Sequence, residues 1–290
     1  MTAALALASC GAPKTMSNGS EHAGSHAEWH EARLAALSAE GGWLTLVGLD
    51  FLPQGRSTIG SSPDATFSYG NCAAPIVGAI ELQGESVRFT PTAAGGSVEW
   101  TADDRGTPSV VRSGTVSFTL VRRNGRLALR VRDDASPVRL QFAGIELFPF
   151  DPAFAVEAQV ATPPGGAGIE ITNVRGFKET QPLAAVLSFD LGGSACTLSA
   201  TAGADGRLFV VFADATTGAQ TYGGGRFLDI PAPRDGRTTI DFNRATNPPC
   251  SFTAFATCPL PPAGNRLSVA VTAGERRPRS DDGTAIPSAG

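Results

Sequence analysis

Short apolar runs that alternate with polar residues, each closed by a turn rich in glycine, follow one another from Trp43 to about Thr272. That spacing restricts the chain to a β protein. Asn124-Gly125 is the clearest of the turns, because Asn-Gly suits the two positive-φ positions of a type I′ hairpin. Val116, Phe118 and Leu120 alternate on one side of it, and Leu127, Leu129 and Val131 on the other. Gly84-Glu85, Gly95-Gly96, Asp205-Gly206 and Asp235-Gly236 punctuate the chain in the same way. The 34 glycines and 21 prolines among 290 residues fit many short strands. They stop short of low-complexity usage.

Helix-forming composition is confined to about Ala23–Ala39, where Trp29, Ala32, Arg33, Ala36 and Leu37 fall in helical register and Gly41-Gly42 closes the run. Strands are expected at Trp43–Leu49, Ser57–Ile59, Ile76–Leu82, Ser86–Thr90, Ser97–Thr101, Thr115–Arg122 and Leu127–Arg132. Phe148-Pro149-Phe150-Asp151-Pro152 then breaks the pattern, as prolines do in a sheet. Strands resume at Ala155–Ala161, Ile169–Asn173, Leu183–Leu191, Cys196–Ala202, Leu208–Ala213, Gly224–Ile230, Thr238–Phe242 and Leu267–Thr272. The expected architecture is all-β: two packed antiparallel lobes, sandwich or partly open barrel, preceded by one short helix. The expected divisions are a signal and flexible tether at 1–25, helix and β-sandwich lobe at 26–150, a second β lobe at 151–275, and a disordered tail at 276–290.

With 23 Lys and Arg against 27 Asp and Glu, the formal charge is −4. This provides no electrostatic footprint for nucleic acid. No apolar run approaches the ~18 residues of a spanning helix. All three histidines, His22, His26 and His30, precede residue 31. The β body therefore lacks the commonest general base and zinc ligand, and no metal or cofactor is expected. A Ser-His-Asp triad would require the N-terminal segment to fold back over the body.

Leu7-Ala8-Ser9-Cys10 has the small-residue pattern of a lipoprotein signal, with Cys10 as the lipidated residue. The polar stretch from Gly11 to Ser25 reads as its tether. On that reading the protein is periplasmic or held at the cell envelope, touching the membrane only through its anchor. It is cytoplasmic if the segment is no signal. Cys72, Cys196, Cys250 and Cys258 remain, and Cys250 with Cys258 is the pair spaced for a local bridge, or for two buried thiols.

Two runs concentrate polar side chains. Thr221-Tyr222-Gly223-Gly224-Gly225-Arg226-Phe227-Leu228 places three glycines between a tyrosine and an arginine, as a close backbone approach or a bulge would need. Asp241-Phe242-Asn243-Arg244-Ala245-Thr246-Asn247-Pro248-Pro249-Cys250 carries a carboxylate, two carboxamides and an arginine off a strand end. Together with Cys258-Pro259-Leu260-Pro261-Pro262 and Trp43–Leu49, these runs resemble an uncharacterised bacterial family of unknown function, over about residues 29–275. Gly55–Phe67 also resembles the opening of a forkhead-associated β-sandwich, with Ser61 where that family holds its phosphate-binding arginine.

The first functional reading is a binding protein for a small polar or anionic molecule, with Arg226 and Arg244 as charged donors, Asn243 and Asn247 as amides, and Tyr222 stacking or donating. The alternative is a metal-independent hydrolase or lyase using Asp241 as acid or base, with Tyr222 and Arg226. A third reading makes the cluster a polar plug without a ligand. Both functional readings require the Tyr222 and Asp241 strands to flank an open hollow.

Overall fold

The computed structural model describes residues 18–93 and 95–278. The expected lipidation at Cys10 lies outside the described residues. Helix α1 (Asn18–Ser38) opens the chain. It takes in residues 18–25 that composition assigned to the tether, and Gly24 is carried within it because contacts beyond that point anchor the helix to the body.

Nine strands follow: β1 (Leu46–Phe51), β2 (Gly55–Gly60), β3 (Phe67–Ser68), β4 (Gly78–Gln83), β5 (Ser86–Pro91), β6 (Val98–Glu99), β7 (Val110–Ser113), β8 (Val116–Arg123) and β9 (Arg126–Asp133). They form two sheets, ordered β1-β9-β8-β7 and β3-β2-β4-β5-β6. Ile59, Ile80, Val87 and Phe89 of one sheet pack on Phe118, Leu120, Leu129 and Val131 of the other, which makes this lobe a sandwich. The hairpin at Asn124-Gly125 forms as expected, with φ of 49° and 70° at the two turn residues and Arg123 paired with Arg126.

After the short α2 (Pro137–Leu140), a second set comprises β10 (Ala155–Ala161), β11 (Gly168–Thr172), β12 (Lys178–Pro182), β13 (Ala185–Leu191), β14 (Ser194–Ala202), β15 (Leu208–Phe212), β16 (Arg226–Ile230) and β17 (Arg237–Asp241). Six of them make an antiparallel sheet ordered β16-β15-β14-β13-β10-β17, and β11-β12 stand as a separate ribbon. Alternation on β13 and β14 turns Leu187, Leu198 and Ala200 inward onto Val210, Leu228, Ile240 and Phe242. Leu267, Val271 and Ala273 close that core from the C-terminal segment.

Three local expectations are corrected. Leu267–Thr272 is not a strand; Leu267 N–H donates to Ala213 O and Val269 O accepts from Ala215 N–H, but at Val271 side chains take over, its carbonyl accepting from Arg226 and its N–H donating to Asp214. Trp43–Thr45 forms a 3-10 turn before the strand proper begins at Leu46. Residues 276–278 are ordered rather than a loose tail: Arg276 N–H donates to Glu146 O and Arg277 N–H to Gln220 O. Val110–Ser113 and Lys178–Pro182 were not foreseen as strands, because exposed residues dominate them and leave no apolar alternation to read.

Candidate functional site

The segments carrying Tyr222 and Asp241 do meet, although Tyr222 precedes β16 and β16 and β17 are opposite edges of the six-stranded sheet. Phe227 and Thr246 exchange backbone hydrogen bonds of 2.8 and 2.9 Å, which fixes β16 against the segment leaving β17. What lies between them is solid protein. Arg226 is fully buried and ion-pairs through Nη2 with Asp214 at 2.9 Å. The same nitrogen donates to Val271 O at 2.9 Å, while Nη1 donates to Ala273 O. Desolvation lowers the Arg226 pKa, and the Asp214 charge opposes that shift. Asp214 is saturated in turn, accepting from Thr216 N, Thr216 Oγ1 and Val271 N. A buried charge of this kind persists only where such partners surround it.

The glycine run serves packing. A Cβ on Gly224 would stand 2.5 Å from the Tyr222 ring. Gly225 adopts φ +83°, and a Cβ there would meet Phe212 O at 2.6 Å and the Pro261 ring. Tyr222 is buried in a cluster with Leu46, Cys250, Ala256 and Cys258, and its hydroxyl donates to Cys250 O at 3.3 Å.

Asn243 bridges two segments: Oδ1 accepts from Asp151 N at 3.1 Å, and Nδ2 donates to Asp151 O at 2.9 Å and Asp241 Oδ1 at 3.0 Å. Asp241 also caps the following turn by accepting from Asn243 N at 3.0 Å. Helix α1 covers this unit. His26 Nε2 meets Asn243 O at 2.8 Å, Arg33 Nη2 donates to Asn247 O at 2.9 Å, and Arg244 donates to Ser25 Oγ at 2.9 Å. Asn247 N donates to buried Glu275 at 2.5 Å and Asn247 Nδ2 to Arg276 O at 2.7 Å. Arg226, Asn243 and Asn247 therefore do not line an open hollow as the binding reading required; they knit the second lobe to α1 and to the C-terminal segment. Arg244 alone of these donors remains exposed. Glu275, Arg33 and His26 complete the unit and were missed, since nothing in their local sequence marks residues that act across more than 200 positions.

Open space lies elsewhere: one hollow of about 330 Å³ is lined by residues 162–168 and 180–184 of the second lobe and carries no charged side chain, and another lies at the seam between the lobes. A cleft of about 300 Å³ is bounded by Arg122, Arg123 and Asn124 of the first lobe and by Asn173, Glu179, Gln181 and Thr257 of the second. The pleat puts Arg123, Arg126, Arg130 and Arg132 on one face of the β8–β9 pair, opposite the sandwich core. Arg122 is balanced by Glu85 and Asp104, and Arg123 by Asp103 at 2.8 Å. Arg130 and Arg132 have no ion-pair partner among the described residues, and the Nε of each is buried without a hydrogen bond. Arg130 lies over the Trp43 ring at 5.8 Å. Burial, reinforced by the charges of Arg123 and Arg132, pushes the Arg130 pKa down to about 10; burial likewise lowers that of Arg132. Sequence inspection passed these arginines over because they read as the solvent side of an ordinary hairpin.

Among the described residues, no helix is long and apolar enough to cross a membrane. A search of curated proteins finds no match. A solution structure of an uncharacterized protein of Haloarcula marismortui is 39% identical, covering 48% of this chain and 78% of that one, with a TM-score of 0.41. The model of a family described as "Protein of unknown function (DUF1684)" matches residues 140–276, which include the whole second lobe and the Tyr222–Cys258 signature, but not the sandwich. Through that region the chain belongs to the DUF1684 family.

Proposed function

We propose that the protein binds a small anionic molecule at the seam between its lobes, where Arg123, Asn173, Gln181 and Thr257 line the cleft and Arg130 and Arg132 extend the sheet face to which Arg123 belongs. The observation that carries this reading is the pair Arg130 and Arg132, two half-buried guanidiniums on one sheet face with orphaned Nε groups and, among the described residues, no carboxylate within ion-pair distance. Unpaired charge in such a setting costs folding energy. An anion that accepted from these donors would recover charge-assisted hydrogen bonds of about 1.5–3 kcal/mol each. In this reading the Asn243–Asn247–Glu275 unit is the plug that holds the second lobe in register behind the cleft. Lipidation at Cys10 would place the binding lobe at the cell envelope.

Less supports catalysis by Asp241. Its Oδ1 accepts two bonds from Asn243, Tyr222 donates to a backbone carbonyl, and Arg226 is enclosed by Asp214 and the C-terminal segment.

Calorimetric titration with inorganic phosphate and, separately, with succinate tests the proposal. Saturable binding of at least one anion, lost in the Arg130→Gln/Arg132→Gln variant, is expected. Absence of heat with both anions, or binding that survives the double substitution, overturns it.

A further inference from the structure

Cys250 and Cys258 enclose the loop that carries Thr257 to the seam, and both thiols are buried against Tyr222. They are unbridged in the structure. Cys250 N–H donates to Cys258 Sγ at 3.1 Å, so the backbone of one residue already touches the sulfur of the other. The two sulfurs are themselves hydrogen-bonded, and the Tyr222 hydroxyl also reaches the Cys250 sulfur. The rest of the loop is held at both ends: Ser251 N–H donates to Pro248 O, and the Cys258 carbonyl accepts from Val174 N–H at 3.0 Å. Between the cysteines, Ala254 and Phe255 are exposed at the loop tip. A local opening there uncovers the pair without dismantling the sheet.

We infer that Cys250 and Cys258 are a reversible dithiol–disulfide pair, with Cys250 as the attacking sulfur and Tyr222 as the residue that positions it. The inference stands apart from the anion reading. Its oxidant is a small-molecule disulfide. The Cys250 thiolate attacks one sulfur of that disulfide, forming a mixed disulfide and releasing one thiol. Cys258 sulfur then attacks Cys250 sulfur, its proton passes to the departing thiolate, and a second thiol leaves. Two S–H bonds are lost, one S–S bond forms, and two electrons reduce the incoming disulfide to two thiols. Hydrogen bonds from Cys258 and Tyr222 hold the Cys250 thiol below its ordinary range, whereas the same contact and burial push Cys258 up. That division suits an attacking and a resolving cysteine.

The full chain, equilibrated with reduced and oxidised glutathione in graded ratios and quenched with an alkylating agent, reports the bridge directly. No Lys or Arg lies between Ala245 and Arg266, so cleavage after basic residues leaves both cysteines on one peptide. The expected result is that this peptide becomes lighter by two hydrogens and resists alkylation, then reverts on reduction. Cys72 and Cys196, on other peptides, stay alkylatable. In Cys258→Ser a glutathione adduct should persist on Cys250, and Tyr222→Phe should slow bridging while leaving its end point unchanged. A peptide alkylated at both cysteines throughout the oxidising series, or an adduct that persists on Cys250 of the unmutated chain, overturns the inference. Unchanged bridging kinetics in Tyr222→Phe remove the role given to the tyrosine.

Discussion

Arg33 of the N-terminal helix and Glu275 at the end of the described chain meet at 2.9 Å across 242 residues of sequence. Glu275 is fully buried and also takes the backbone N–H of Asn247. This contact fastens α1 over the polar unit of the second lobe. Replacing Arg33 with Ala leaves the carboxylate buried beside a single donor. The expected loss is toward the low end of the ~3–5 kcal/mol seen when one partner of a buried pair is removed, because Arg33 keeps some solvent contact. Urea unfolding measures it; a loss under about 0.5 kcal/mol, the range of ordinary surface substitutions, would show that the helix is not fastened here.

Asp214 and Arg226 form the other buried pair, and neither side chain reaches solvent. Asp214→Asn should destabilise by about 3–5 kcal/mol, while the double variant Asp214→Leu/Arg226→Met should recover part of that loss, since no charge then remains unpaired. A double variant at least as unstable as the sum of the single ones would contradict the pairing.

The three glycines after Tyr222 are unequal. Gly225→Ala meets a carbonyl oxygen and the Pro261 ring in a left-handed conformation, so a cost above about 1 kcal/mol is expected. A Cβ on Gly223 has only Gly218 Cα nearby, at 4.0 Å, and Gly223→Ala should be neutral. Thermal midpoints of the two variants decide; equal midpoints would mean that close approach at Gly225 is not what the run provides.

His30 gives stability a pH dependence of known sign. Burial lowers its pKa below the ordinary value of 6.5, with Glu275 opposing the shift and His26 and Arg33 adding to it. The unfolded chain therefore takes up the proton first, and stability falls as pH drops below about 6.5 toward the folded-state value. His30→Gln should flatten that slope. Unfolding free energies at pH 7.5 and 5.5 in the two proteins provide the comparison, and an unchanged difference would exclude His30 as the source.

Asn243 holds both backbone groups of Asp151. Asn243→Leu strands an N–H and a C=O in the interior, at about 1–3 kcal/mol for each group left unsatisfied. Asp241→Asn, which keeps an oxygen to cap the turn, should be much milder. Denaturant midpoints for the pair test this, and the order reverses if Asp241 rather than Asn243 carries the joint.

Alternation and turn chemistry were enough to read the β class, the hairpin at Asn124-Gly125 and most strands of both lobes. Those signals are local: a strand's face and a turn's φ values depend on residues a few positions apart. The same logic marked Tyr222, Arg226, Asn243 and Asn247 as unusual, because buried polar side chains in an apolar run need partners. Which partners they have was not legible. Asp214 captures Arg226, Glu275 captures Asn247, and Asp151 captures Asn243; each pairing closes only when distant segments pack, and each turns an apparent ligand-binding donor into an internal one. Leu267–Thr272 has a strand's composition, but Arg226 and Asp214 claim the backbone of Val271 and break the run. Conversely, the arginines of β8 and β9 looked like solvated surface. Tertiary packing buries Arg130 and Arg132 while Asp103 and Asp134 act on them only from beyond ion-pair contact. Local sequence determined the elements and their faces, through steric and hydrophobic rules that act within a few residues. Tertiary structure decided which polar groups are satisfied, because the cost of burying a charge depends on everything around it.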